Sequence, residues 1–109
     1  VEPHDSTDGS LTAADVERIV LQSIAAAEQT RSAIRLTADT ERPGSRARMV
    51  IAVADTNGEI LGLYRMKDST VFSIDVAVAK ARNTAYYADA GALQPEDQVP
   101  GIDPGTAFT

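Results

Sequence analysis

Side chains able to do chemistry are sparse in this chain of 109 residues, and their spacing argues against most catalytic classes. Cysteine is absent, so there is no thiol nucleophile, thiolate metal site or disulfide framework. The single histidine, His4, sits near the start. No Ser/His/Asp or Cys/His set can form around it, no zinc-ligand spacing is present, and no glycine-rich phosphate loop occurs. The densest group of oxygen ligands is Asp55-x-Asn57-Gly58-Glu59. It carries part of a calcium-loop pattern, but the full loop spacing and its closing bidentate Glu are missing. A hairpin turn is the preferred reading. Asp15, Glu17, Arg18 and Glu28 read as ordinary helix-surface charges. Arg42, Arg46 and Arg48 cluster, yet Asp39 and Glu41 stand beside them and Pro43-Gly44 interrupts them, so a solvated loop is preferred to a binding patch.

The whole chain narrows the partners. A net charge of −6 argues against nucleic acid, whose phosphates are met by clustered Lys and Arg. No apolar run approaches the roughly 18 residues that would cross a bilayer, so no membrane insertion is expected. Hydrophobic residues at 43% suffice for one ordinary core, but aromatics reach only 5% and Trp is absent. Burial must come from Ala, Val, Ile and Leu, which bring less area each than rings do. The core is therefore expected to be thin. The first residue is Val1 rather than Met, from which removal of a preceding segment and an extracytoplasmic location are expected.

The elements that must hold these side chains follow from periodicity. Residues 1–10, with Pro3 and Gly9, are polar and acidic, and a flexible leader that buries nothing is expected. A helix over residues 12–33 opens with Thr12 as cap, Asp15 as the capping-box acid and Leu11 stapled onto Val16. Val16, Ile19, Val20, Ile24 and Ala27 share one face at the 3.6 period. Residues 35–46 lose that period and read as a loop. Residues 49–54 form a continuous apolar, β-branched run, so a strand over 48–55 buried on both faces is expected. Asn57-Gly58 then predicts a type I′ turn, in which both residues take positive φ. The return strand, 60–67, places Leu61, Leu63 and Arg65 on one face and Ile60, Gly62, Tyr64 and Met66 on the other. Gly62 suggests close approach by another group. Asp68-Ser69-Thr70 offers cap chemistry for a second helix over 73–89, whose face runs Ile74, Ala77, Val78, Ala81, Ala85 and Ala88, with Gly91 as its stop. Residues 92–109, broken by Pro95, Pro100 and Pro104, read as an extended tail.

Taken together, Leu11-Thr12 opening an Ala-rich helix, VIAVAD at 50–55 before Asn57-Gly58, LGLYRM at 61–66 and SIDVAVAKA at 73–81 resemble the GlcG/HbpS-like family. That group includes the C-terminal domain of PduO-type cobalamin adenosyltransferases and secreted haem-binding proteins. The resemblance covers residues 11–91. It implies an α+β, profilin-like domain with an antiparallel sheet of about five strands flanked by helices, often assembled into oligomers. Helix, hairpin and helix account for only two of those strands. Further strands, a second copy or a companion polypeptide are therefore expected to complete the sheet.

The resemblance also points to a small-molecule ligand, with haem as one class. Haem needs an axial ligand, and His4 lies outside the matching region, so no histidine ligand carries over. Tyr64, Met66, Tyr86 and Tyr87 have the right chemistry, with packing or rim contact as the preferred role of each. The strand end and following helix would border the ligand pocket, which names Tyr64, Arg65, Met66, Ser73 and Lys80 as candidate binding residues. Arg65 could pair a carboxylate, and for Ser73 a helix cap is the preferred role beside ligand binding. No catalytic residues are assigned. The expected function is a non-catalytic ligand-binding or assembly domain, with an interaction subunit completed by a second polypeptide as the alternative, and an enzyme ranked last.

Overall fold

A computed structural model of the chain describes residues 1–32, 45–89 and 91–102. The loop expected around Arg42, Pro43 and Gly44 and the tail beyond residue 102 lie outside the described residues. The fold is a small α+β domain: α1 (Ala13–Gln29), β1 (Val50–Ala54), β2 (Ile60–Arg65) and α2 (Ser73–Ala88), followed by one turn of 3-10 helix at Pro95–Asp97. Each element is one to five residues shorter than its periodicity suggested.

α1 begins as its sequence predicts. Thr12 Oγ1 accepts from Asp15 N at 3.2 Å, and Asp15 Oδ2 accepts from Thr12 N at 3.1 Å, closing the capping box. A further orphan donor of the first turn, Ala13 N, is satisfied by Asp5 Oδ1 at 2.7 Å. The helix ends at Gln29, because Thr30 turns to extended backbone and the chain then bridges Arg31 to Arg46.

β1 and β2 pair antiparallel, with Val50 opposite Arg65 and Val53 opposite Gly62. The ladder then shifts: Ala54 faces Ile60, and Leu61 is left as an inserted residue. This bulge overturns the strict alternation expected of the strand, since Leu61 and its neighbour Gly62 are both buried. Leu61 and Val16 are the two fully buried large side chains, and with Val20 and Val53 they make the core. Each such side chain contributes roughly 1.5–3 kcal/mol of burial. Leu11, Ile24 and Ile51 pack on its margin. Gly62 is required by this packing: a Cβ there would lie 2.7 Å from Val16 Cγ1. The close approach read from the glycine is thus made by α1.

Three further expectations need correction. The connection between the strands is not type I′, because Asn57 keeps a negative φ and only Gly58, at φ 80°, is left-handed. Gly58 N donates to Asp55 O at 3.0 Å and Asp55 N to Glu59 O at 3.1 Å, the arrangement of a three-residue loop with a glycine bulge. β1 is not buried on both faces, since Val53 alone among its residues is fully buried. Residues 1–10 do not stand clear of the body. Leu63 N donates to Val1 O and His4 N to Leu61 O, so the leader runs antiparallel along the free edge of β2. Pro3, which has no N–H, occupies the position skipped between them. Ser6 is 5% exposed, with its hydroxyl donating to Asp8.

α2 lies mainly along β1, α1 lies across both strands, and the helices do not pack on each other. The cap expected from 68–70 is different in kind: the residue before the helix is Phe72, which has no capping side chain, and Ser73 N bonds to Thr70 O instead. At its other end Asp89 N donates to Ala85 O and Tyr86 O, and Gly91 N donates to Asp89 Oδ1. Asp89, rather than a left-handed Gly91, therefore terminates the helix. Ala85 is the one buried residue of α2.

Candidate functional site

Where α1 and α2 part over β1, the fold leaves an open cleft of about 370 Å³. Its walls are Ile19 of α1, the run from Ala52 to Thr56, and Ala81, Thr84, Ala85 and Ala88 of α2. Small side chains make the space: Ala81, Ala85 and Ala88 form one stripe of the helix along the cleft. Thr84 is turned onto its own helix, its hydroxyl donating to Lys80 O.

The one acidic group in the cleft wall is Asp55, only 3% exposed. Its placement follows from the hairpin. Oδ1 accepts from Asn57 N at 3.0 Å and from Glu59 N at 2.9 Å, so the carboxylate organises the turn. Oδ2 has no hydrogen-bond partner among the described residues, and no Lys or Arg pairs with the group there. A buried carboxylate oxygen left without a donor is costly, and such groups are normally paired. The calcium pattern read around Asp55 is thus a turn in which the acid caps backbone N–H groups. Among the described residues no three His, Cys, Asp or Glu side chains converge on a common point.

A second recess of about 370 Å³ adjoins the first at Thr56 and is lined by Asn57, Gly58, Arg82, Tyr86, Asp89 and Ala92. Arg82 Nε donates to Gly58 O at 3.3 Å, fastening α2 to the hairpin tip. Tyr86 donates its hydroxyl proton to Asp97 Oδ2 at 2.5 Å and accepts from Gln94 N at 3.1 Å. The bond to Asp97 holds the phenol above its ordinary pKa. Through these bonds the start of the tail is tied back on α2 rather than extended from it.

The five candidate binding residues do not meet in the cleft. Tyr64 is exposed and lines a small hollow of about 130 Å³ under Val1, Glu2 and Pro3. Met66 is buried at 3% exposure, its N–H donating to Met49 O. Arg65 Nη2 donates to Ser69 O at 2.9 Å, and the Ser69 hydroxyl donates to Met66 O. Ser73 shares a short hydroxyl contact with Thr70. Arg65, Met66 and Ser73 therefore gather around the 66–73 turn, while Lys80 is exposed on α2. Of the other candidate ligands, His4 Nδ1 donates to Glu2 O at 3.1 Å, and His4 Nε2 lies 3.9 Å from Glu59 Oε1. Tyr86 and Tyr87 stack edge to face, with centroids 5.1 Å apart. What sequence reasoning missed is Asp55 as a buried group and the alanine stripe as a cleft wall. The signal for the first was Asp-x-Asn-Gly, whose acid caps the turn it precedes.

No known protein family, curated protein or solved structure compared with the chain matches it.

Proposed function

We propose that residues 11–91 are a non-catalytic ligand-binding domain of GlcG/HbpS type, working outside the cytoplasm, whose ligand enters the cleft between α1 and α2. The observation that carries this reading is the cleft itself: about 370 Å³, walled by Ile19 and the Ala81, Ala85 and Ala88 stripe, with a buried carboxylate in its wall. An apolar space with few polar groups is the usual form of a small-molecule site. Nothing in it pairs a nucleophile with a base, which supports binding rather than catalysis. The resemblance adds haem as the first ligand to titrate. The test follows a Soret band on adding haem to the native chain, beside Ala88→Trp, which fills the cleft from an exposed position. A band that Ala88→Trp abolishes supports the reading. Absence of a band removes haem as the ligand, and a band indifferent to the variant removes the cleft as its site.

A second reading, an interaction subunit completed by another polypeptide or a second copy, is favoured by the start of α2. Val71 is 67% and Phe72 is 73% exposed, with Val76 exposed one turn on. Adjacent large apolar side chains in solvent commonly mark a contact surface. Sedimentation of the native protein across a concentration series tests it: association is expected, and a monomer throughout would count against it.

A further inference from the structure

We propose that Asn57-Gly58 is a deamidation site whose product releases residues 1–10 from the hairpin. The inference is independent of the ligand reading. It rests on the turn and on what the leader does there.

An asparagine followed by glycine is the arrangement in which the next backbone nitrogen meets least hindrance in reaching the side-chain amide, because glycine carries no Cβ. Asn57 is exposed at the tip of the hairpin and Gly58 follows it at φ 80°. Gly58 N attacks Asn57 Cγ, the Cγ–Nδ2 bond breaks, and the nitrogen leaves as ammonia with the proton lost from Gly58 N. Water then opens the resulting succinimide to aspartate or isoaspartate at position 57. In the closed turn Gly58 N is donated to Asp55 O and Asn57 N to Asp55 Oδ1, so the attack proceeds when the turn opens.

The leaving nitrogen is the atom that holds the leader. Asn57 Nδ2 donates to Asp8 Oδ2 at 2.9 Å. Asp8 is fixed in place, because its Oδ1 accepts from the Ser6 hydroxyl at 2.8 Å and from Ser10 N at 2.9 Å. Replacing the amide by a carboxylate removes the donor and sets two anions face to face, with Asp55 and Glu59 adding like charge on either side in sequence. Arg82, the cation at the turn, reaches it through Gly58 O rather than through the Asn57 side chain. The remaining side-chain anchor on the hairpin is Glu59, which accepts from Thr7 N and Thr7 Oγ1, both at 3.1 Å, while Asp5 Oδ1 still accepts from Ala13 N of α1 at 2.7 Å. Once the leader lifts, Leu61 O and Leu63 N lose their partners at His4 and Val1, and the edge of β2 is open to another strand.

The full chain is held in mildly alkaline buffer and mapped by peptide mass, with isoaspartate detected enzymatically. Asn57 is expected to convert while Asn83, inside α2, does not. In parallel, amide hydrogen exchange is read at His4 and Leu63. Asn57→Asp should speed both by about tenfold, the loss of one charge-assisted hydrogen bond. The reciprocal pair Asn57→Asp with Asp8→Asn, which returns a donor to the contact, should restore the slow rates and guards against a folding defect in the single variant. Conversion of Asn83 ahead of Asn57, exchange unchanged in Asn57→Asp, or failure of the reciprocal pair to restore it would overturn the proposal.

Discussion

The two helices meet the same hairpin in opposite ways. α1 buries Val16, Val20 and Ala27 and drives Val16 against Gly62 closely enough to exclude any larger residue there. Its first turn is satisfied by its own capping box and by Asp5 from the leader. α2 buries only Ala85, starts without a capping side chain, and leaves Val71, Phe72, Val76 and Tyr87 in solvent. The α1 side is a finished core. The α2 side is a wall of small residues beside a cleft; the helix lies along β1, and Arg82 fastens it to the hairpin tip. The contrast teaches that one helix carries the buried core while the other leaves apolar surface in solvent, and substitutions can break or sharpen that division.

The largest effect is expected at Leu61, whose truncation to Ala should cost about 2–5 kcal/mol in chemical denaturation, because it empties the centre of the α1 side. Gly62→Ala should cost about 1–3 kcal/mol by overpacking against Val16, and a smaller loss would mean that α1 can shift away. Thr12→Ala should cost about 1 kcal/mol, since it removes one half of the capping box.

Acid should act next, at the leader and at the start of α1. Asp8 is held at a pKa of about 2, below the ordinary 3.8, chiefly by hydrogen bonds from Ser10 and then Ser6. Asp15 is lowered as well, first by the backbone N–H of Thr12. A depressed folded-state pKa gives stability that is present above the unfolded value and lost as pH falls through the folded one. Protection of the His4 and Leu63 amides should therefore be constant above about pH 4 and decline from there toward about pH 2. Protection lost already near neutrality would show that the leader is held by other groups. The smallest effect on stability is expected for Phe72→Ser, within about 0.5 kcal/mol, as for surface positions generally. Yet this variant should weaken self-association if α2 carries an interface, and unchanged sedimentation would remove Phe72 from it.

Much of the local structure was legible along the chain. Thr12 with Asp15, the apolar spacing of 16–27, the β-branched run of β1 and the small-residue spacing of α2 each depend on neighbours within a few residues, so propensity and periodicity suffice. The Leu61 bulge was not legible. Alternation is the default of a strand, and only the fit of α1 against Gly62 makes an inserted, inward-facing leucine the better packed choice. The leader was misread for a related reason. Its composition offers little to bury, but polar side chains and backbone can be held by hydrogen bonds to a distant strand, as Thr7 is by Glu59 and Asn57 by Asp8.

The site divides along the same line. The sequence alone determined that a hairpin turns at Asn57-Gly58, that an acid precedes it and that alanines face one side of α2. Only the tertiary structure decided that Asp55 is buried with one oxygen unpaired, that the alanine stripe walls a cleft beside β1, and that Arg65, Met66 and Ser73 gather at another turn. The physical reason is range. Hydrogen bonds and periodic faces within an element are set by adjacent residues, whereas burial, cavity and pairing arise between residues tens of positions apart, where the relative placement of helices and sheet decides.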